Sequence, residues 1–168
     1  VLMTQGTLAS PDGRVRASGI QVLGIDDRFF NFAQDPKQAP DLEQQNFWVS
    51  PDLAHELGVN AGTRMILRVE EPSLFSRDAP LSGERDARFV SWNRTLGGVL
   101  NSAQLGKFSL RANMEPVRTV FAPLSLLQED MFVNFDPVGE RTDFANLLLV
   151  LTNEPQNILE ENMERAWT

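Results

Sequence analysis

The stretch Phe47-Trp48-Val49-Ser50-Pro51-Asp52-Leu53-Ala54-His55-Glu56-Leu57-Gly58 carries the clearest local signal in the chain. Three bulky apolar residues read as a short strand. Ser50 is then a good N-cap, Pro51 suits the first helical position, Asp52 complements the positive end of the helix dipole, and Gly58 can adopt the left-handed stop. The spacing predicts a two-turn helix with Leu53, Ala54 and Leu57 on one face and His55 and Glu56 pointing elsewhere. After the turn Val59-Asn60-Ala61-Gly62, the run from Thr63 to Glu71 alternates. Met65, Leu67 and Val69 fall on one side and Arg64, Arg68 and Glu70 on the other, the pattern of a half-buried strand.

Working outward toward the N-terminus, Val1 to Ala9 and Arg14 to Ile25 flank Ser10-Pro11-Asp12-Gly13, so a β-hairpin is expected. Ile20, Val22, Leu23 and Ile25 make its second arm a buried strand. Asp26 to Phe32 reads as a short helical turn and Asp35 to Gln45 as a loop. Toward the C-terminus, Pro72 to Gly83 is loop, and Arg85 to Val99 and Lys107 to Ala112 are strand-like. Val117 to Ala122 is a strand stopped by Pro123. Ser125-Leu126-Leu127-Gln128 has capping-box spacing, which starts a short helix to Met131. Asp136 to Asp143 is loop, and Phe144 to Leu151 is the most apolar run, expected as a central strand with Leu148 in the core. Asn153 to Thr168 is expected as a helix, with Leu159, Met163 and Trp167 in a stripe. The element order gives an α+β class. Residues 1–45 and 117–168 would form a sheet-and-helix layer from both chain ends, with 46–116 inserted as a β-rich subdomain.

The chain has 168 residues, a formal net charge of −8, 42% apolar residues, no cysteine and one histidine. At this length roughly 70% of the unfolded surface can be buried, so no staple is needed. Zero cysteine removes disulfides, thiol nucleophiles and thiolate metal sites; a lone His55 removes multi-histidine sites. The acidic balance argues against a nucleic-acid surface. No window approaches the roughly 18 apolar residues of a membrane helix. The start at Val1, without an initiating Met or a signal peptide, is expected of a segment of a longer protein or of a processed product.

Chemistry-bearing patterns are sparse. His55 lacks a nucleophile elbow to serve and is expected on the surface. The pairs Asp26/Asp27, Glu70/Glu71 and Glu129/Asp130 lack calcium-loop spacing. Gly97-Gly98 and Gly106-Lys107 do not form a phosphate loop, and the Asn93-Arg94-Thr95 sequon is uninformative. Phe29, Phe30, Phe32, Phe47 and Trp48 are the candidate partner or substrate surface, with core packing as the commoner use of such rings. No catalytic residue, cofactor or metal is expected.

Four ordered segments carry a resemblance. Residues 18–30, with Val22-Leu23-Gly24-Ile25-Asp26-Asp27 and Phe29-Phe30, residues 49–67 through Leu57-Gly58-Val59-Asn60-Ala61-Gly62, residues 120–128 with Val120-Phe121-Ala122-Pro123-Leu124, and the strand-like 145–150 together resemble the extracytoplasmic domain of FtsX-like ABC transporter permeases. That group includes MacB-type exporters and lipoprotein-releasing permeases. Thr63 departs from an Asp that is frequent in the family. The resemblance implies an α+β "porter" part with an inserted β-rich "sabre" part. It implies a non-enzymatic domain outside the bacterial cytoplasmic membrane, tethered by flanking transmembrane helices. It further implies a cytoplasmic ATPase subunit or domain and a permease dimer as partners, and the coupling of ATP-driven motion to export or release of a substrate. The alternative is a free-standing extracytoplasmic module that binds a ligand or a protein.

Overall fold

In the computed structural model, which describes residues 1–35, 39–42, 44, 46–70, 89–109, 116–131 and 145–149, the N-terminal hairpin forms as its turn chemistry requires. Strands β1 (Leu2–Ala9) and β2 (Arg16–Ile25) are antiparallel, and Ser10 N–H donates to the Val15 carbonyl at 2.8 Å to close the connection. A 3₁₀ turn over Asp27–Phe32 follows. Strand β3 (Phe47–Val49) runs into helix α1 (Pro51–Leu57), where the Ser50 hydroxyl accepts from Leu53 N–H and Gly58 stops the helix at φ 63°. Strand β4 (Arg64–Glu70) buries Met65, Leu67 and Val69 and exposes Arg64, Arg68 and Glu70, as the alternation predicts. Strand β5 (Phe89–Val99), a 3₁₀ turn over Ser102–Gln104, strand β6 (Thr119–Pro123) and helix α2 (Leu124–Met131) follow. The helix starts directly after Pro123, so Ser125 falls inside its first turn and is not the N-cap that its spacing suggested.

The expected α+β layer with an inserted β-rich part is not what these strands build. They close into one six-stranded barrel in the order β1-β2-β6-β3-β5-β4, with β4 returning to β1. The reason lies in the pairing partners. Strand β3 sits between β6 (antiparallel) and β5 (parallel), and β4 joins β1 through Gly6–Ala9, so strands from 46–116 are hydrogen-bonded directly to strands from both ends of the chain. β2 and β6 pair in parallel, Gln21 opposite Thr119 through Ile25 opposite Pro123. The closed sheet leaves the β1–β4 seam unpaired only along the first residues of β1, before Gly6.

Alternation sorts the buried residues into two cores. Ile20, Val22, Phe47, Val49, Met65, Leu67, Val120 and Ala122 belong to the first, inside the barrel, and are joined by Leu53 and Leu57 of α1 and Leu126, Leu127 and Met131 of α2. Their strand neighbours Leu23, Ile25, Trp48 and Phe121 point outward into a second core with Phe29, Phe30 and Leu100. The wall made by β2, β6 and β3 is thus buried on both sides. Every residue of β6 is buried.

Residues 145–149, expected as part of a central strand, form none. They lie beside the start of β1, where β4 no longer pairs. There the Asn146 side chain accepts from Met3 N–H and donates to the Met3 carbonyl, both at 2.7 Å, and Leu147 N–H donates to the Val1 carbonyl. Leu148 is 63% exposed, which overturns its assignment to the core. The described part of the expected 107–112 strand, residues 107–109, is also irregular. The loops at 72–83 and 136–143 and the helix at 153–168 lie outside the described residues. His55 is exposed, as expected.

In urea denaturation, Leu57→Ala is expected to cost about 2–5 kcal/mol, while Leu148→Ala and His55→Ala each stay within about 1 kcal/mol. Ser50 is fully buried; its hydroxyl donates to the Val117 carbonyl and accepts from Thr119 N–H at 3.1 Å besides capping α1. Ser50→Ala is expected to cost about 1–3 kcal/mol in the same measurement, because it leaves the buried Thr119 N–H of β6 and the Val117 carbonyl without their partner as well as removing a cap.

Candidate functional site

The 3₁₀ turn is set by Asp26, whose extended backbone ends β2 and whose carboxylate accepts from Arg28 N–H at 3.1 Å. The same carboxylate receives Arg28 Nε–H at 2.9 Å. Hydrogen bonding from Arg28 holds the Asp26 carboxyl below its ordinary range, against a smaller opposing effect of burial. The turn rolls Phe29 and Phe30 down onto the second core. Phe29 meets Phe30 edge-on with ring centroids 5.5 Å apart and Phe108 edge-on at 5.4 Å, and leans on Phe121 at 6.2 Å.

Above this aromatic floor opens a cleft of about 940 Å³. Phe29 and Phe32 form one wall, Leu124 and Gln128, one helical turn apart on α2, another, and residues 145–149 with Val1 the third. Asp26 and Arg28 stand at its rim. Arg28 is largely exposed and its charge is already engaged by Asp26. The cleft therefore offers aromatic and aliphatic contact with one compensated ion pair at the edge. It suits a predominantly apolar group or side chain better than a free anion.

The five aromatic residues singled out from the sequence divide between three environments. Phe29, Phe30 and Trp48 share the second core; Phe32 is half-buried on the cleft wall; Phe47 is fully buried inside the barrel. Trp48 and Phe47 part because consecutive strand residues face opposite sides. The Trp48 indole lies across Gly97 of β5, where a Cβ would come within 2.7–2.9 Å of the ring, so the Gly97-Gly98 pair serves packing. Of the five, only Phe29 and Phe32 reach the cleft. Sequence reading missed the partners Phe121 and Phe108 and the 145–149 wall. Phe121 was legible as the odd residue between inward Val120 and Ala122; the other two are brought in by loops with no periodic signal.

The described members of the acidic pairs, all but Glu71, do not come together. Asp130 on α2 accepts a hydrogen bond from Trp92 Nε1 of β5, and Glu70 stands exposed on β4. Among the described residues no group of three or more His, Cys, Asp or Glu side chains could hold a metal ion, and no helix is long and apolar enough to cross a membrane. No known protein-family model matches the chain, and no curated protein matches it.

A carboxyl with a lowered folded value contributes stability fully above its unfolded value near 4 and loses it as pH falls through the lower folded value. The Asp26 carboxyl ¹³C resonance is expected to titrate with a midpoint below that of a free aspartate. The stability difference between the protein and its Asp26→Asn variant is expected to be full at pH 6 and to shrink through the acid range below about pH 4.

Proposed function

We propose that the chain is the extracytoplasmic domain of an FtsX-like ABC transporter permease, a non-catalytic element through which ATP-driven movement of transmembrane helices is coupled to export or release of a substrate. One observation carries the reading: three of the segments that resemble the family are one contiguous piece of structure. Segment 18–30 supplies β2 and the aromatic 3₁₀ turn, segment 120–128 supplies β6 in parallel pairing with it and the start of α2, and segment 49–67 begins at Val49, opposite Val120. The support comes from this pattern and not from architecture, since the barrel differs from the layered arrangement the resemblance implied.

A second support is the placement of Met3 and Asn146, 143 residues apart in sequence and hydrogen-bonded to each other. Met3 and Asn146 therefore lie side by side, and two tethers joined to the barrel at that place would hold it as a single lever. In this reading the barrel, closed by its strand pairing, would move as a body. Coupling would then take the form of a population shift between orientations set by nucleotide state. The permease helices, a second permease copy and the ATPase are the partners in this reading, and the extracytoplasmic face of the bacterial membrane is the location.

The cleft favours a second reading, a free-standing module that takes an apolar ligand or segment between Phe29, Phe32 and Leu124. The coding sequence on either side separates the two. The permease reading expects apolar stretches of about 20 residues upstream and downstream, with reporter fusions placing this domain outside the membrane. A stop codon directly after the domain, preceded by a cleavable leader, would overturn it and leave the binding module.

A further inference from the structure

Among the described residues the barrel wall is covered over β2, β6 and β3, while the outward residues Gln5, Arg68 and Glu70 of β1 and β4 are exposed, and that side carries a feature that neither reading uses. Between Gly6 opposite Ile20 and Thr7 opposite Ser18 the β1–β2 register shifts, and Gly19 is the extra residue, at φ 65°. This is a bulge with a left-handed glycine, which takes its own backbone groups out of the ladder. With no side chain at Gly19, where a Cβ would meet nothing within 4 Å, the wall hollows into a depression of about 290 Å³, rimmed by Arg16, Arg68, Glu70 and Phe89. It shares no lining residue with the aromatic cleft.

The two arginines come from opposite sides of β1. Arg16 of β2 is opposite Ala9, and Arg68 of β4 is opposite Thr7, so both long side chains reach over the same hollow. Elsewhere Arg14, Arg28 and Arg118 are engaged by Asp12, Asp26 and Glu56. Arg16 and Arg68 make no ion pair among the described residues. Arg16 donates from Nε to Ser18 Oγ at 3.2 Å, which leaves its terminal nitrogens free. The Arg68 guanidinium lies 4.5 Å over the Phe89 ring, an arrangement that orients its plane without consuming its N–H donors. On a chain of net charge −8, two exposed guanidinium groups with no ion-pair partner among the described residues converge on one hollow.

We infer that this depression is a binding site for a single oxyanion group, phosphate or carboxylate, held between Arg16 and Arg68. Guanidinium donors match the geometry of either group, and the Gln5 side-chain amide that also lines the hollow can add a neutral donor. Glu70 on the rim leaves the lining with one net positive charge, so a single anionic group fits it and a polyanion does not.

The test is an NMR titration of the ¹⁵N-labelled 168-residue chain with inorganic phosphate and, separately, with acetate, at constant ionic strength in sodium chloride. Saturable shifts of the Gly6, Thr7 and Gly19 amides and of the Arg16 and Arg68 Nε–H signals are expected with at least one of the two anions, and whichever binds more tightly names the group. Arg16→Gln and Arg68→Gln should each weaken binding about tenfold or more, as expected for loss of a charged hydrogen bond. Arg64→Gln, outside the hollow, should leave it unchanged, and Arg68→Lys should fall between. The amide spectrum of each variant reports whether it is folded. Shifts that do not saturate, that appear equally at Arg64 and Arg118, or that persist in both glutamine variants would overturn the inference.

Discussion

Everything in this molecule depends on β6 being held between β2 and β3 with both of its faces out of water. The strand is only Thr119–Pro123, yet it is parallel to β2 on one side and antiparallel to β3 on the other. Its inward residues Val120 and Ala122 pack the barrel, while Phe121 anchors the outer aromatic core. Without it the N-terminal hairpin and the β3–β5–β4 strands would be an open curved sheet with two bare edges and two half-made cores. At roughly 25 cal/mol per Å² of apolar area, a strand that buries both faces contributes about twice what a one-sided strand of equal length does.

Ser50 ties this arrangement to the helix that follows β3. One hydroxyl caps α1, bonds the carbonyl of Val117 and receives Thr119 N–H, and the Ser50 amide donates to the Thr119 carbonyl. The residue that reads in sequence as an ordinary N-cap is therefore also the joint between two distant parts of the chain. The exposed Arg118–Glu56 pair beside it adds little, because water screens both groups.

What was legible in the sequence was local. Asp12-Gly13 announced the hairpin, Ser50, Pro51 and Gly58 bounded α1 within a residue, and the Arg64–Glu70 alternation assigned each side chain of β4 to its face. Barrel closure was not legible, because it is decided by which distant strands meet, and no periodicity records a partner. The run Asn146-Leu147-Leu148-Leu149 misled for a related reason: apolar composition without alternation states only that a segment can be buried, and the available edge beside β1 was short enough to be met by one asparagine side chain. The candidate site was half visible. Phe29 and Phe32 stood out, but Leu124, Gln128 and the wall opposite them are assembled by the fold alone.

The parallel pairing of Gln21–Ile25 with Thr119–Pro123 also sets a timetable for folding. The β1–β2 hairpin and α1 need only near neighbours, whereas β2 must wait for a partner about a hundred residues further along the chain. Topologies dominated by such distant contacts fold in milliseconds to seconds, well behind helical domains of the same size. During that interval Leu23, Ile25 and the Phe29-Phe30 pair form an apolar strand edge and patch with nothing over them. A chain made from its N-terminus carries this unsatisfied surface until residue 123 has emerged, so the stretch from Ile20 to Phe30 is where a chaperone would find its handhold.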